Sequence, residues 1–208
     1  MQDLGTLGGA SRGNAINDDG HVAGFAAVGG QASAFLWRPD TGMTDIGTLG
    51  GISALGHAIN NHDQIAGESE MAQGGGGTRT HAFRWDAQTG MHDLGTLGGS
   101  VSIARGINDD GWVVGDSYLA GDEPPVHGFV HYGISMRDLN DLIDPSSGWR
   151  ILIAHDINNH GQIAAFASRA GEPWGHAVLL PPIPEPAMGA LLAIGLVLAR
   201  RVGRRDQL

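Results

Sequence analysis

The chain has 208 residues, of which 35 are glycine and none is cysteine, and its formal net charge at pH 7 is −10. The lack of cysteine excludes disulfide bonds, thiol catalysis and cysteine-ligated zinc, and the acidic balance argues against nucleic acid as a partner, because phosphates require a basic surface. All 12 basic residues are arginines, and four of them lie in the last nine residues, so the rest of the chain is more acidic than the whole.

The chain begins with a motif that returns three times, and this repetition predicts the architecture. The motif Met-x-Asp-Leu/Ile-Gly-Thr-Leu-Gly-Gly occupies residues 1–9, 43–51 and 91–99, and a shortened copy, Met-Arg-Asp-Leu-Asn, occupies residues 136–140. Successive copies start 42, 48 and 45 residues apart. Periods of this length are typical of stacked or circular repeat proteins.

Each copy is followed in fixed order by an Ile-Asn pair, a turn rich in Asn, Asp and Gly, a short apolar run, and a segment of small and aromatic residues. The turns have the sequences Asn17-Asp18-Asp19-Gly20, Asn60-Asn61-His62-Asp63, Asn108-Asp109-Asp110-Gly111 and Asn158-Asn159-His160-Gly161. Asn, Asp and Gly tolerate the left-handed backbone of tight turns, so these segments predict hairpins. No stretch of the body keeps an apolar period of 3.6 residues over the length that a helix needs.

Four short strands in each repeat, joined by hairpins, are typical of a propeller blade. We therefore expect residues 1–180 to form an all-β, propeller-like array of four four-stranded antiparallel repeats. Leu4, Ile16, Phe35 and Trp37, with their counterparts in the other repeats, are the predicted core residues.

The two ends of this array leave two interpretations open. Residues 1–7 form a predicted first strand without a hairpin partner, and residues 176–180 form a last strand without a successor, so pairing between them would close a ring. Met1, however, falls on the repeat position of Met43 and Met91, and no basic residue followed by an apolar stretch precedes it. The alternative is the C-terminal part of a longer chain that starts on an internal repeat methionine.

The polar residues of the body predict no catalytic residue and no metal ligand. His81, His127 and His176 occupy equivalent repeat positions, so we expect them on different blades, each capping a neighbouring turn. The Asn-Asp-Asp-Gly turns resemble a calcium loop only faintly, since no copy has the Asp-x-Asp-x-Asp spacing and the distal Glu that coordination usually requires. The sequence thus predicts no cofactor, with calcium as the one alternative.

The C-terminus differs from the repeats. Residues 181–186 form a proline-rich linker that cannot continue a sheet, and residues 187–199 run without a charge. Four arginines follow, namely Arg200, Arg201, Arg204 and Arg205. The apolar run gives roughly 20 Å of helix, short against a hydrocarbon core of about 30 Å. We expect residues 187–208 to form a transient inner-membrane anchor with its arginines in the cytoplasm and the repeats outside.

This tail resembles a C-terminal sorting signal named after its Pro-Glu-Pro motif, PEP-CTERM, of Gram-negative bacteria that make extracellular polysaccharide. The resemblance rests on Pro184-Glu185-Pro186, the apolar run and the arginines, and it covers residues 184–208. It implies that an exosortase in the inner membrane cleaves near the motif and that the protein becomes secreted or surface-attached. The sorting residues would then be Pro184, Glu185, Pro186, Arg200, Arg201, Arg204 and Arg205. An ordinary short membrane anchor is the alternative.

Residues 1–180 resemble the bacterial extracellular repeat family named for its His-Ala-Phe motif, the HAF repeat. His81-Ala82-Phe83 matches the motif fully and Ala34-Phe35 matches it in part, whereas the copies that start at His127 and His176 each differ at one residue. The resemblance implies a surface or secreted protein of no established activity, and it transfers no catalytic residues.

Two classes of function follow from the sequence. The first is a non-catalytic module of the extracellular matrix, whose loops 71–80 and 120–126 contact polysaccharide or envelope proteins. The second is a secreted glycan-active hydrolase or lyase on the same scaffold. Convergence of His and Asp side chains in one pocket would favour the enzyme, whereas separate positions at turns would favour the module.

Overall fold

The computed structural model of the protein describes residues 1–72, 79–121, 124 and 126–183. These residues form an all-β fold, as the sequence predicts, with no α-helix among them. They also include two short 3-10 helices, Leu139–Leu142 and Pro145–Ser147. No helix in the described part is long and apolar enough to cross a membrane. The predicted apolar helix of residues 187–199 lies outside the described residues.

The strands follow the sequence repeat and form four units of consecutive antiparallel strands. Unit 1 contains β1 (Ser11–Ile16), β2 (Val22–Val28), β3 (Gln31–Arg38) and β4 (Gly42–Asp45). Unit 2 contains β5 (Gly50–Ile59), β6 (Ile65–Met71), β7 (Thr80–Asp86) and β8 (Gly90–Asp93). Unit 3 contains β9 (Gly98–Ile107), β10 (Val113–Leu119), β11 (His127–Tyr132) and β12 (Ser135–Asp138). Unit 4 contains three strands, β13 (Trp149–Ile157), β14 (Ile163–Arg169) and β15 (Gly175–Leu180).

The later Met-x-Asp segments form hairpins with the aromatic strands that precede them. In the later copies they form the fourth strand of the preceding unit, so that Asp45 of β4 pairs with Phe35 of β3. The prediction of a first strand at residues 1–7 is therefore wrong, because these residues have no preceding aromatic strand beside them to complete a ladder. Unit 4 has three described strands rather than four, because no Met-x-Asp segment follows β15 among the described residues. Residues 1–7 and β15 do not pair, and the ring is not closed in this structure.

The predicted core is correct for the Phe35 position of units 1 to 3, whereas its counterpart in unit 4, Val178, is half-buried, and the prediction is wrong for Ile16. Phe35, Phe83 and Phe129 are fully buried, and Trp37 is 7% exposed. Ile16, in contrast, is 68% exposed, although its counterparts in the other units are buried: Ile59, Ile107 and Ile157. Leu4 lies at an intermediate depth and packs against the unit 1 cluster around Phe35. The difference at Ile16 has a physical reason in the way that neighbouring units pack.

The first strand of each unit packs against the unit before it. Ile59 of unit 2 shares a cluster with Ala34 and Leu36 of unit 1. Ile107 packs in the same way with residues of unit 2, and Ile157 packs with residues of unit 3. Ile16 belongs to unit 1, which has no such neighbour among the described residues. The apolar side chain at this repeat position is thus a contact between units, not part of a core within one unit.

Candidate functional site

The Ile-Asn pairs place four asparagines in a row across the units, which we call the asparagine column: Asn17, Asn60, Asn108 and Asn158. Each Oδ1 accepts the backbone amide four residues later, at 2.9 to 3.0 Å, and so closes its own turn. In the first three, Nδ2 donates to the backbone carbonyl of the next asparagine in the column, at 3.1, 2.9 and 3.3 Å. The column therefore joins each turn to its neighbour.

The residue after each asparagine forms a second row, the turn ladder: Asp18, Asn61, Asp109 and Asn159. The backbone amides of Asp18, Asn61 and Asp109 each donate to Oδ1 of the next side chain, at 2.9 to 3.0 Å. The side chains alternate between carboxylate and amide, so Asn61 donates from Nδ2 to Asp18 at 3.0 Å and to Asp109 at 3.1 Å. The backbone amide of Asn61 and the amide side chains of Asn61 and Asn159 hold the pKa of Asp109 below its usual value.

The ladder is the place where a calcium ion would bind under the alternative prediction. Its carboxylate oxygens accept hydrogen bonds from amide groups of the neighbouring turns. Among the residues that the structure describes, no three His, Cys, Asp or Glu side chains lie together as a metal site. Calcium stays the alternative to the predicted absence of a cofactor.

The repeated histidines lie in separate units, as predicted, and each lies close to a carboxylate. His81 Nδ1 lies 2.9 Å from Asp93 in unit 2, and His127 Nδ1 lies 2.6 Å from Asp138 in unit 3. The carboxylate, not the histidine, then caps the following turn, since Asp93 accepts the amide of Gly95. In unit 1 a serine takes this place, and Ser33 donates to Asp45. His176 of unit 4 instead lies 2.7 Å from Glu172.

One polar cluster has no counterpart in the described parts of the other units, and sequence reasoning did not find it. Asp63 lies at the junction of units 1 and 2, where Oδ1 accepts from Asn17 at 2.9 Å and contacts His21 Nδ1 at 2.7 Å. Oδ2 accepts from both Nε and Nη2 of Arg38, at 3.0 and 2.8 Å. We call His21, Arg38 and Asp63 the junction triad. Three sequence positions that are far apart converge here, so no local pattern could reveal them.

Asp63 has a left-handed backbone conformation, and its side-chain contacts offset the strain of that conformation. Asp63 has φ of 58°, whereas the equivalent residues of the other three turns are glycines: Gly20, Gly111 and Gly161. A side chain in this left-handed region costs on the order of 1–2 kcal/mol. Partial burial raises the pKa of the Asp63 carboxyl, but the bonds from His21 and Arg38 outweigh it and hold that pKa below its usual value. The ionised carboxylate is thus the form that holds units 1 and 2 together.

We expect an acid-sensitive contribution to stability from Asp63. A carboxyl whose pKa is lower in the folded state stabilises the fold above its unfolded pKa of 3.8 and loses that contribution as pH falls below it. In Asp63→Asn the backbone strain remains and the charge is lost. The difference in unfolding free energy between wild type and Asp63→Asn should be largest near neutral pH and shrink below about pH 3.8. Denaturant titrations at several pH values measure it, and a pH-independent difference would contradict the role of the charge.

A second unrepeated pair lies near the junction of units 2 and 3, namely the half-buried Arg84 and the buried His131. Arg84 Nη1 donates to the carbonyl of Gly111 at 3.1 Å. Among the described residues, Arg84 Nε and His131 Nδ1 have no hydrogen-bond partner. Burial, together with the positive charge of Arg84, lowers the pKa of His131 and favours its neutral form.

An apolar pocket lies where unit 3 meets the end of unit 4. Its volume is about 510 Å³, and it is lined mainly by Tyr132, Leu139, Leu142, Ile143, Leu180 and Ile183. The first 3-10 helix forms one wall and the start of the proline linker forms another. None of the repeated histidines lines it.

The predicted sorting residues lie outside the described part of the chain: Pro184, Glu185, Pro186, Arg200, Arg201, Arg204 and Arg205. Parts of both predicted binding loops, residues 73–78 in one and residues 122, 123 and 125 in the other, also lie outside it. The functional predictions for these segments therefore stay predictions.

Comparison with solved structures finds a similar fold. No family model matches the chain, and no curated protein matches its sequence. The crystal structure of TolB from Acinetobacter baumannii is similar to it, with a TM-score of 0.48 and 12% sequence identity, over 84% of this chain and 43% of that chain. The chain thus spans less than half of the TolB chain. The resemblances to the HAF repeat and to the sorting signal stay predictions.

Proposed function

We propose that the protein is a non-catalytic, secreted or cell-surface repeat module that binds or organises extracellular polysaccharide or envelope proteins. The proposal rests on one observation, namely that the repeated polar side chains form hydrogen bonds and ion pairs with other parts of the fold. The asparagine column and the turn ladder join turns, and the histidines of units 2 and 3 pair with the Asp of their own unit. In the described part of the chain, His, Asp and Arg side chains converge at the junction triad. There Asn17 and His21 contact Oδ1 of Asp63, and two nitrogens of Arg38 donate to Oδ2, so neighbouring side chains occupy both carboxylate oxygens.

The proposal includes a propeller-like arrangement of the four units. It is supported by the order of contacts, since the first strands β1, β5, β9 and β13 touch one another in succession. It is also supported by the outer position of β4, β8 and β12, which lie at the far edge of their units. Four-stranded antiparallel units that pack side by side with one edge inward are the repeating part of a propeller.

The location at the cell surface rests on the resemblance of the tail to the PEP-CTERM signal. An exosortase is the proposed partner, the Pro184-Glu185-Pro186 motif is the proposed recognition element, and residues 187–199 are the proposed transient anchor. Within this scheme the body needs no contact with the tail beyond the linker. Ile183, the last described residue, packs against the cluster that units 3 and 4 share.

Deletion of residues 184–208 tests the sorting part of the proposal. We expect the truncated chain to keep the folding of the repeats, because the column, ladder and clusters all lie before residue 184. We also expect it to lose surface attachment in an exosortase-producing Gram-negative host. Circular dichroism and cell fractionation measure the two effects. Unfolding of the truncated chain, or an unchanged location, would contradict the proposal.

The second candidate function is a glycan-active hydrolase or lyase. The observation in its favour is the junction triad, since a carboxylate that orients a histidine is also found in enzymes. It predicts turnover of a polysaccharide, whereas the preferred proposal predicts binding without bond cleavage.

A further inference from the structure

Each first strand contains a β-bulge at the same repeat position, two residues before the isoleucine of the Ile-Asn pair. In β5, Gly56 and Ala58 pair with consecutive residues of β6, so that His57 between them stands outside the ladder. The same one-residue shift occurs in β1, β9 and β13. We call the four extra residues the bulge row: Asn14, His57, Arg105 and His155. A bulge directs a side chain away from strand pairing, and bulges are frequent next to functional sites.

The bulges of neighbouring units lie side by side. Asn14 Nδ2 donates at 2.8 Å to the carbonyl of Gly56, which precedes the row residue of unit 2. A Cβ on Gly106 would lie 2.8 Å from Cα of Asp156, and these two residues follow the row positions of units 3 and 4. The first strands also touch one another in succession. The four row residues therefore follow one another along the edge where the first strands meet.

The row positions differ in chemistry although the residues around them repeat. Each is followed two residues later by the same Ile-Asn pair, whereas the row itself contains an amide, two imidazoles and a guanidinium. The four units place the same demands on the fold at this position, so the fold alone does not account for polar side chains of three kinds. Variable polar side chains held on a rigid repeated scaffold can recognise a ligand.

Units 2 and 3 each add a carboxylate from the second strand to the row. Glu68 Oε1 lies 3.4 Å from His57 Nε2, and Asp116 accepts a hydrogen bond from Arg105 Nε. Asp116 is 6% exposed, so the guanidinium is held by a buried partner. The side chains of His57 and Arg105 stay 28% and 34% exposed, although another unit packs on either side of units 2 and 3. The row thus presents fixed polar groups at the surface.

We propose that the bulge row binds neutral sugar units of a polysaccharide through their hydroxyl groups. The proposal rests on the polysaccharide binding proposed above and assigns that binding to this surface. A hydroxyl both donates and accepts hydrogen bonds, so it matches a surface on which donors and acceptors alternate. Arg105 offers the donors Nη1 and Nη2 beyond its bonded Nε, and Glu68 and Asp116 offer acceptor oxygens.

The charges of the row favour a neutral sugar over an acidic one. The guanidinium of unit 3 and the imidazole of unit 2 each lie beside a carboxylate. The row therefore lacks the excess of positive charge that would attract a chain of uronate groups.

A glycan array that carries neutral and uronate-containing bacterial oligosaccharides is the probe for the full chain. We expect binding to neutral members, and calorimetry with the best-bound member gives the dissociation constant. Arg105→Lys keeps a positive charge beside Asp116 and removes the forked donor group, so the dissociation constant should rise roughly 10-fold. His57→Phe keeps a ring and removes its nitrogens, and an increase of the same order is expected. Arg169→Lys is the matched control, because Arg169 forms an exposed ion pair with Glu172 outside the row. It should leave the affinity unchanged.

Circular dichroism and urea unfolding check that each variant keeps the fold, and if one row variant does not, the other carries the test. Neutral-glycan binding that the row variants retain at wild-type affinity would overturn the inference and leave the proposed function standing, with the loops as its binding surface. Binding confined to uronate-containing members, or an equal loss in Arg169→Lys, would overturn the inference in the same way. A lack of binding to every member would contradict the inference together with the polysaccharide part of the proposed function.

Discussion

Gly67→Ala is expected to lower the free energy of unfolding by about 3 kcal/mol or more. Gly67 is the residue of β6 that lies opposite a shift in the register of β5, between Gly56 and Ala58. A Cβ at this position would overlap the backbone carbonyl oxygen of Leu55 and approach Phe83 Cε1 to 2.9 Å. The obstacle is backbone, which cannot turn aside as a flexible side chain can. Gly24 and Gly115 face the same obstacle in units 1 and 3.

Gly20→Ala is the matched control for this prediction. Gly20 has φ of +78°, and no described atom lies within 4 Å of the position that a Cβ would take, so its substitution brings backbone strain without a collision. A loss on the order of 1–2 kcal/mol is expected. Equilibrium unfolding in urea gives both values. An equal loss in the two variants would show that the close approach at Gly67 does not limit the fold.

Asn60→Ala is expected to cost about 2–4 kcal/mol, because it leaves several buried polar groups without partners. Asn60 is 4% exposed. Its Nδ2 donates to the Asn108 carbonyl at 2.9 Å and to Gln64 Oε1 at 2.8 Å, and its Oδ1 accepts the amides of His62 and Gln64. The substitution thus opens one turn and also removes the asparagine-column bond between units 2 and 3.

The control for Asn60 is Asn14→Ala, which removes a bond between units at an exposed position. Asn14 Nδ2 donates to the Gly56 carbonyl at 2.8 Å, and the side chain closes no turn. A loss of about 0.5–1 kcal/mol is expected in the same urea titration. A loss for Asn60→Ala no larger than that for Asn14→Ala would mean that the asparagine column adds little to the association of the units.

The sequence predicted what repeats and could not predict what occurs once. The four turns follow from the local conformational preferences of Asn, Asp and Gly, and the aromatic strands follow from a local sequence pattern. Both kinds of element were therefore predicted correctly. Ile16 was assigned to a core because its repeat position is apolar, but burial at that position depends on a neighbouring unit. The Met1–Leu7 strand failed for the same reason. The junction triad combines His21, Arg38 and Asp63 from different repeat positions, which no periodicity can indicate.

The most direct test of the proposed function is a measurement of polysaccharide binding and turnover on the same sample. The full chain, with and without calcium, is titrated with neutral and acidic bacterial polysaccharides, and the mixtures are assayed for new reducing ends and for unsaturated products. We predict saturable binding with no rise in either product above the protein-free control. Product formation that increases with protein concentration, or a lack of saturable binding to every polysaccharide titrated, would contradict the account.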